Sequence, residues 1–430
     1  MPAIAGYAVQ HTLWSHSAID RPRPDVLRGD TTCDVAIVGA GFTGLTAAVR
    51  LAEAGKRVIV LDADVLGAGA SGVNAGFVVP NFAKADPDAV LAKLGDERGN
   101  RLLLAVGSSA DDLFDLIRSK SIDCDAEQTG WLHVAHDDAS AELLRARARS
   151  WQALGRPIQY LDEQGARART AARHCRGGLF DPSGGMLNPL GLVYGLARLA
   201  RGAGVVIKER AAVSSATRAD NGWVLDVGGH SVRAQTVLLC TNGSTLGLAR
   251  LLGRLVVPLR VYQIATAPLP SSVAERIAPF RNPLADTRAN LFTCRLDRDN
   301  RLISGGMAVL PIGAERRMAL SISRRLAREL GLASAPEVEF VWRGTAAVTR
   351  DFLPHIYRLG EDFFGAIGCN GRGIAVTSVV GRALADKVLQ GFGCATPIPD
   401  MEPRVSFGLV AAIAPSLVVA QGLWKDRRSR

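Results

Sequence analysis

Lysine, paired cysteines and long apolar runs are scarce in this 430-residue sequence. Only seven of the 51 basic residues are lysines, and the arginines are scattered, so the formal charge of +10 predicts a solvated basic surface in preference to a nucleic-acid-binding face. The seven cysteines form no Cys-x-x-Cys pair, which argues against a zinc site or a redox disulfide and favours a cytoplasmic protein with reduced thiols. The sequence shows no signal-peptide pattern and no run of about 18 apolar residues, so we expect no membrane-spanning helix.

What the sequence does have is the composition of a large globular protein. Hydrophobic residues make up 48% of the chain and charged residues 21%, which excludes the disordered and fibrous classes. The length predicts two or three domains. The seven histidines show no metal-ligand spacing, so we predict no metal site.

The first strong pattern is a βαβ unit over residues 35–61, in which two short apolar runs flank a segment with helical spacing. Its turn reads Gly39-x-Gly41-x-x-Gly44. Glycines at this spacing permit a tight turn, close approach of the backbone to a pyrophosphate, and close packing of helix on strand. Asp62 follows the second run, where a carboxylate can bind a ribose hydroxyl. This context predicts a dinucleotide site, and the acid argues against NADP.

The segment after the second strand, GAGASGVNAGF at residues 67–77, consists almost entirely of small residues. A simple nicotinamide-dependent enzyme would continue here into another strand and helix. A loop of small residues can instead lie flat against a large planar ring, with its backbone amides at the polar edge of that ring. Ser71 and Asn74 are placed to hydrogen-bond the ring or the pyrophosphate. The alternative interpretation is a flexible surface loop.

Further segments complete a recognisable order: DPSGGMLNPLGLVYGLARLARGAGV, VLLCTNG, NRLISGG, FLPHIYRL and GCNGRGIAVTSVVGRALAD. With the βαβ unit they make the chain, over roughly residues 20–395, resemble the FAD-dependent oxidoreductases of the D-amino-acid oxidase superfamily. It looks most like the γ-glutamylputrescine oxidoreductase-like branch. The resemblance implies hydride transfer from the carbon beside a substrate nitrogen to flavin N5, leaving an imine that water hydrolyses.

Carried over by position, the resemblance implies that the small-residue loop contacts the flavin and that the backbone of Val213 meets the adenine. The motif and the resemblance together predict the following FAD-binding residues: Gly39, Gly41, Phe42, Thr43, Gly44, Asp62, Ala63, Gly69, Ala70, Ser71, Gly72, Asn74, Gly76, Phe77, Val213, Thr241, Asn242, Gly243, Gly371, Arg372, Gly373 and Ile374.

The glycine-rich block at residues 371–373 precedes a helical pattern that begins at Ile374. A helix N-terminus at the flavin N1/C2=O edge would stabilise the negative charge that collects there on reduction. Arg372 adds a positive charge if its side chain turns inward. An arginine that points to solvent is the alternative.

Two departures from the family pattern bear on the chemistry. Some relatives attach the flavin through a cysteine near the position of Gly344, and none occurs there, so we expect non-covalent FAD. Amino-acid-specific relatives hold the substrate carboxylate with an arginine and a lysine, where this chain has Val73, Phe77 and Ala375. Because a bidentate arginine is the efficient carboxylate anchor, this favours an amine, or an amino acid held from elsewhere.

Other residues are candidates for that role and for catalysis. Arg343, Arg295 and Arg260 are possible anchors, each with a surface or packing role as the alternative. Tyr262 lies on a strand expected to cover the flavin, either as part of an aromatic wall or as a core residue. The predicted catalytic residues are Arg372, Tyr262 and Arg343.

No lysine occurs between Lys208 and Lys387, so the predicted substrate sheet has none. Several oxidases of the superfamily use a lysine near flavin N5 to help oxygen accept electrons. Its absence favours a dehydrogenase that passes electrons to a carrier, with O2 as the alternative acceptor.

The elements predict an α/β protein with a Rossmann-like FAD-binding domain of the glutathione-reductase type. A second, α+β substrate domain is built on a mainly antiparallel sheet. The C-terminal tail is apolar and then basic, which predicts a packed helix or a peripheral membrane anchor. The predicted boundaries are 30–84, 155–243 and 340–400 for the FAD-binding domain, 85–154 and 244–339 for the substrate domain, and 401–430 for the tail.

These observations favour a cytoplasmic FAD-dependent amine or amino-acid oxidoreductase, either an oxidase or a dehydrogenase. One alternative is a D-amino-acid or imino-acid dehydrogenase. An alternative from another class is a non-catalytic flavin-binding or RNA-modification partner protein, against which the lack of a contiguous basic, aromatic-rich segment counts.

Overall fold

The computed structural model describes residues 11–17, 20–308 and 312–403, which form two large sheets and one short one. The strands, in chain order, are β1 Thr31–Val38, β2 Val58–Leu61, β3 Phe77–Val78, β4 Trp131–Val134, β5 Gln159–Leu161, β6 Gly178–Asp181, β7 Gly185–Met186, β8 Val206–Lys208, β9 Val213–Ala219, β10 Gly222–Val227, β11 His230–Leu239, β12 Val257–Thr266, β13 Leu284–Asp286, β14 Thr293–Leu296, β15 Leu302–Gly306, β16 Val338–Val348, β17 His355–Gly360, β18 Phe363–Ile367 and β19 Asp400–Met401. The helices are α1 Leu13–His16, α2 Phe42–Glu53, α3 Ala70–Val73, α4 Pro87–Leu94, α5 Asp96–Ser119, α6 Asp138–Ala153, α7 Glu163–Arg167, α8 Pro189–Gly202, α9 Arg250–Gly253, α10 Ser271–Ile277, α11 Ala314–Leu330 and α12 Gly373–Gln390, with a 3-10 turn at Gly247–Ala249.

The first sheet is parallel at its centre, in the order β18-β11-β1-β2-β8. The hairpin β9–β10 extends from β11, and β17 pairs antiparallel with β18. Parallel neighbours need crossover connections, and α2 supplies the one between β1 and β2. Because these strands run in one direction, the carboxyl ends of β1, β2, β11 and β18 lie along one edge of the sheet. The predicted Rossmann-like domain is confirmed.

Strand β1 shows why its sequence is an unbroken apolar run. Val35 and Ile37 enter a core that includes residues of α2, α8 and α12, whereas Ala36 and Val38 enter a second core on the opposite face. A strand of a parallel sheet is covered on both faces, so both sets of alternating side chains must be apolar.

The second sheet runs in the order β16-β12-β15-β14-β13-β4-β6-β5, antiparallel except for the β13–β4 pair. Helix α11 lies on one face: a β-carbon at Gly306 would come within 2.9 Å of the Met318 side chain. Ile264 on β12 shares a buried core with Ile322 and Leu326 of α11. The predicted mainly antiparallel sheet is confirmed.

Sheet membership crosses the boundaries expected from the sequence. Strands β5 and β6 lie within 155–243 but belong to the second sheet, and so does all of β16, which spans the expected boundary at 340. The order of short strands along the chain does not determine which sheet they join, because pairing depends on tertiary contacts.

Of the predicted tail at 401–430, the structure describes only residues 401–403, and the rest lies outside the described residues. In the part of the chain that the structure describes, no helix is both long and apolar enough to cross a membrane.

A buried lysine fixes the last described residues to helix α12. The Lys387 ammonium is 2% exposed and donates to the carbonyls of Phe392 and Cys394, each at 2.7 Å, and to the Asp400 carboxylate at 2.8 Å. Asp400 begins β19, which pairs with β17 at the edge of the first sheet. The Lys387 side chain therefore holds residues 392–400 against α12 and the edge of this sheet.

Replacing this lysine is expected to destabilise the protein. Lys387→Met leaves two carbonyls without their donor, which should lower the free energy of unfolding by about 2–3 kcal/mol. Lys56→Met, at an exposed lysine, is the control. Urea denaturation of the two variants measures the difference, and equal losses would show that the buried ammonium does not hold this segment.

Candidate cofactor and active site

The turn after β1 can hold only glycines at its critical positions. Gly39 has φ +108°, and a β-carbon there would lie 2.6 Å from the Cys240 carbonyl oxygen. A β-carbon at Gly44 would lie 2.0 Å from the carbonyl oxygen of Gly39. Helix α2 therefore starts directly against the end of β1, and Gly41 at its N-cap offers no side chain to cap it. A helix N-terminus in this position is a site for phosphate.

Hydrogen bonds tie this turn to the end of β2 and to the small-residue loop. The Asp62 carboxylate accepts from the N–H of Ala40 at 2.7 Å and of Asp64 at 3.0 Å. Burial raises the pKa of this carboxyl. The Ser71 hydroxyl accepts from the Phe42 N–H at 3.1 Å, in the first turn of α2. Asp62 and Ser71 thus reach the predicted pyrophosphate end of the site.

The small-residue loop, residues 67–77, is ordered by its own asparagine. Asn74 Nδ2 donates to the carbonyls of Ala70 at 3.1 Å and Ser71 at 2.8 Å, and its Oδ1 accepts from the Gly76 N–H at 2.9 Å. Residues 70–73 form the short helix α3. Asn74 therefore shapes the backbone that is predicted to meet the flavin, with its side chain directed into the loop.

Two other predicted segments reach the same edge of the first sheet. Thr241 follows β11, and its buried hydroxyl oxygen has no partner among the described residues. A β-carbon at Gly243 would lie 3.1 Å from that of Ala347 on β16, so the two sheets approach each other here. Val213 begins β9, two residues after Ala211, whose N–H donates to the Asp62 carbonyl at 2.7 Å. Ala63 and Gly69 are exposed.

Arg372 turns toward the second sheet. Its guanidinium donates to the Phe82 carbonyl at 2.8 Å, and its Cζ lies 4.9 Å from the centroid of the Trp131 ring. Burial, with the nearby charge of Arg147, lowers the pKa of Arg372 to about 9. Residue 372 is also the N-cap of α12 and makes no side-chain cap bond. Of the two alternatives for this arginine, the structure places it inward.

The two faces of the second sheet can be told apart by their contacts with the loop. Trp342 Nε1 donates to the Val73 carbonyl at 2.8 Å, and a β-carbon at Gly344 would lie 3.2 Å from the Val73 side chain. We call the face that carries Trp342 and Gly344 the loop face, and the face under α11 the outer face. Alternate residues of a strand belong to alternate faces.

Two predicted catalytic residues lie on the outer face. Tyr262 pairs with Arg343 across β12 and β16, one position away from Trp342. Arg343 faces Glu315 of α11 at 3.6 Å, and Tyr262 is 2% exposed. Arg260 pairs with Thr345 and is on the outer face as well. The structure therefore does not bring these three side chains to the loop, because a shift of one residue reverses the face.

The loop face carries Gln263, which no sequence pattern indicated, and Arg295, which the sequence offered as one of three candidate anchors. Gln263 pairs with Trp342, and its buried Oε1 has no partner in residues 11–17, 20–308 and 312–403. Arg295 reaches the same face through the pairs Arg295–Ile303 and Ile303–Ala265. Alternation along β12 from one known loop-face residue would have found Gln263, whereas Arg295 on β14 also needs the register between strands, which the sequence does not give.

An aromatic pair and an N-terminal tryptophan were also missed. Trp131 and His133 of β4 lie on the loop face, with ring centroids 5.0 Å apart. Burial, aided by Arg372 and Arg147, holds the pKa of His133 well below its usual range, so this histidine is neutral. Trp14 of α1 donates to the Asn74 carbonyl at 2.9 Å. No motif in the sequence linked residues 11–17 to the site.

In the described part of the chain, the site has neither a cysteine on β16 for flavin attachment nor a cluster of metal ligands. Strand β16 has no cysteine. Cys369 lies in the turn between β18 and α12 and is half-buried. No three His, Cys, Asp or Glu side chains among the described residues are grouped to hold a metal ion.

Comparisons with known proteins agree with this arrangement. Residues 34–387 match the DAO family, described as FAD dependent oxidoreductase. The γ-glutamylputrescine oxidoreductase of Escherichia coli K12 is 30% identical over 84% of this chain and 85% of its own length. The glycine oxidase of Geobacillus kaustophilus is 26% identical over 83% and 92%. The crystal structure of glycine oxidase from Geobacillus kaustophilus superposes with a TM-score of 0.68 at 23% identity, covering 85% of this chain and 96% of that one.

The residues present fit FAD. The glycine turn gives a backbone cradle that a β-carbon would fill at Gly39 or Gly44, and the start of α2 provides the phosphate position. The orphaned polar atoms of Thr241 and Gln263 offer hydrogen-bonding partners to a bound group. The N-terminus of α12 has no side-chain cap and is available to the pyrimidine edge of a flavin. These groups would hold the cofactor.

Adding one methyl group at Gly44 should weaken FAD binding. Gly44→Ala places a β-carbon against the Gly39 carbonyl, and overpacking of this kind costs about 1–3 kcal/mol, or about 10–100-fold in affinity. Gly202→Ala is the matched control, because nothing lies within 4 Å of its β-carbon. Acid precipitation followed by measurement of the released flavin gives the FAD content of each variant. Equal FAD content would contradict the close helix–strand contact.

A second charged cluster follows β16. The Asp351 carboxylate accepts from His355 Nε2 at 2.9 Å and pairs with the Lys93 ammonium at 2.6 Å. Although burial acts to raise it, the hydrogen bonds from His355 and Lys93 hold the pKa of Asp351 well below its usual range. The cluster connects α4 to the loop before β17, so His355 has a structural partner in this region.

Acid should weaken this cluster in a defined direction. Because the folded-state pKa of Asp351 is depressed, its contribution to stability is present above its unfolded value of about 4 and is lost as the pH falls below it. Asp351→Asn should therefore be less stable than the wild type at pH 7, and the gap should narrow as the pH falls from about 5 toward 2. Thermal melts across this range measure the gap, and a gap that stays constant would rule out the ionised carboxylate as its source.

Proposed function

Because the chain belongs to the DAO family of FAD-dependent oxidoreductases, we propose that it oxidises a carbon–nitrogen bond of a small amine or amino acid. The observation that carries the proposal is the convergence of three surfaces: the start of α2, the start of α12 and the loop face all meet the small-residue loop or its neighbours. The relatives named above act, by their names, on γ-glutamylputrescine and glycine.

When bound, FAD would supply the hydride acceptor for oxidation of the carbon beside the substrate nitrogen, which would give an imine that water hydrolyses. The residues of this chain supply binding and electrostatics. The glycine turn and the first turn of α2 hold the phosphates. The α12 N-terminus and the inward Arg372 place positive potential where negative charge collects. Gln263 and Trp131 form part of the substrate wall. A neutral amine needs no further base, and neutral His133 is not required as one.

The electron acceptor is proposed to be a carrier in preference to O2. The eight strands of the second sheet contain no lysine, so no ammonium from this sheet is available to assist oxygen. Lys84 follows the loop, but its ammonium lies over the Phe352 ring at 5.4 Å from the centroid.

We further propose that FAD is non-covalent, that the protein is cytoplasmic and that it has no nucleic-acid partner. The reduced thiols and scattered arginines support the last two points.

Anaerobic bleaching of the flavin tests the proposal. Purified holoenzyme is mixed with amines, N-methyl amino acids, D-amino acids and γ-glutamyl amines, and the visible flavin absorption is followed. At least one nitrogen compound should bleach the flavin, and an artificial dye should then reoxidise it faster than dissolved oxygen does. If no nitrogen compound bleaches the flavin, the proposed function is wrong. Rapid reoxidation by oxygen would instead exclude only the carrier.

A further inference from the structure

A narrow cleft lies beside the small-residue loop and contains two unpaired hydrogen-bond donors. Its lining includes Arg295 of β14, Asn188 at the start of α8, and Trp14 of α1. Arg295 is 4% exposed and Asn188 is 2% exposed. In the described part of the chain, Arg295 Nε and Asn188 Nδ2 have no hydrogen-bond partner. Donors this deeply buried normally have an acceptor, so the cleft is built to receive one.

Arg295 is the one of the three candidate anchors that is on the loop face, since Arg343 and Arg260 are on the outer face. Its Nη2 donates to the Leu187 carbonyl at 3.1 Å, and its Cζ lies 5.0 Å from the centroid of the Trp14 ring. A β-carbon at Gly76 would lie 2.7 Å from Nη2, so the guanidinium is in contact with the loop predicted to meet the flavin.

The acids that line the cleft are already paired with other arginines. Four acids line the cleft. Asp125 accepts from Arg298 at 2.9 Å, and Glu127 accepts from Arg281 at 2.8 and 2.9 Å. Asp299 accepts from Arg301 at 2.7 Å, and the Asp297 carboxylate lies 3.8 Å from the same guanidinium. The charge of Arg295 therefore has no hydrogen-bonded carboxylate among the residues that the structure describes. Burial lowers the pKa of Arg295 to about 10, which leaves it positively charged at neutral pH.

Asn188 completes the set of donors because its other atom is fully used. Its Oδ1 caps α8 by accepting from the N–H groups of Leu190 and Gly191, each at 3.1 Å. This cap fixes the orientation of the amide, so that Nδ2 is left as a donor. A guanidinium beside an amide N–H matches a carboxylate, which accepts several hydrogen bonds at once.

We propose that Arg295 and Asn188 form a carboxylate-binding subsite, so that the substrate is an amine that also carries a carboxylate. This rests on the proposed function for the identity of the substrate, although the subsite can be tested without turnover. The carboxylate is held beside Gly76 while the carbon–nitrogen bond reaches the flavin. The arrangement provides the anchor that Val73, Phe77 and Ala375 do not supply at the usual positions of the family.

Binding of unreactive carboxylates tests the subsite. Acetate, butyrate, benzoate and glutarate are titrated into full-length holoenzyme, each beside its uncharged amide, and the flavin spectrum and melting temperature are recorded. In the wild type at least one carboxylate should bind more tightly than its amide. Arg295→Met should lower the binding affinity for that carboxylate by about 10–100-fold, as expected for hydrogen bonds to a charged group. The same variant should bind the amide as tightly as the wild type does. Arg295→Lys should retain part of the affinity.

Two further variants separate binding from folding. Asn188→Asp keeps the oxygen that caps α8 and replaces the Nδ2 donor with a negatively charged oxygen acceptor. It should therefore weaken carboxylate binding while the protein stays folded. Arg260→Met removes an exposed arginine from the outer face and should change neither measurement.

Two results would overturn the proposal: no carboxylate binds the wild type better than its amide, or Asn188→Asp and Arg260→Met bind carboxylates equally well. Either would mean that the cleft is not a carboxylate-binding subsite. Neither result depends on whether nitrogen compounds bleach the flavin. The bleaching experiment therefore tests the proposed function separately.

Discussion

The site depends on the contact between the start of helix α2 and the end of strand β1. A β-carbon at residue 44 would lie 2.0 Å from the carbonyl oxygen of Gly39, so the helix can begin here only because residue 44 is glycine. The same constraint recurs where α12 crosses α2, since a β-carbon at Gly381 would lie 2.6 Å from the Thr43 carbonyl oxygen. The missing side chain at residue 44 brings the N-terminus of α2 to the sheet edge, and the one at residue 381 lets α12 cross close to it. Positive potential at the N-terminus of a helix suits a phosphate.

The small-residue loop connects this edge to the second sheet. Ser71 bonds to the first turn of α2, the Val73 carbonyl accepts from Trp342, and the Asn74 carbonyl accepts from Trp14. Small side chains let three other elements pack against the same few residues. They also leave the backbone accessible to the planar ring that we propose binds here. The loop also determines which face of the second sheet belongs to the site. The proposed carboxylate subsite follows from that assignment, because Arg295 is on the face that meets the loop.

The sequence was sufficient where local chemistry decides the structure. The glycine spacing, the apolar runs of β1 and β2 and the acid after β2 led to the correct sheet and family, since each depends on the backbone near one turn. The sequence was insufficient where the pairing of strands determines which face of the sheet a side chain occupies. Tyr262 and Gln263 are neighbours in the sequence but lie on opposite faces, and only the register with Trp342 tells them apart. Short strands such as β5 and β6 joined the second sheet for the same reason. Asn188 gave no functional signal, because an asparagine before a helix is expected as a cap.

A crystal structure of the protein with FAD would test the central claim most directly. We expect the pyrophosphate at the first turn of α2 and the isoalloxazine ring against residues 70–77, with the Thr241 hydroxyl or the Gln263 carbonyl hydrogen-bonded to the cofactor or to a bound substrate. A ring bound away from the small-residue loop, or a dinucleotide that leaves the turn at residues 39–44 empty, would contradict the account.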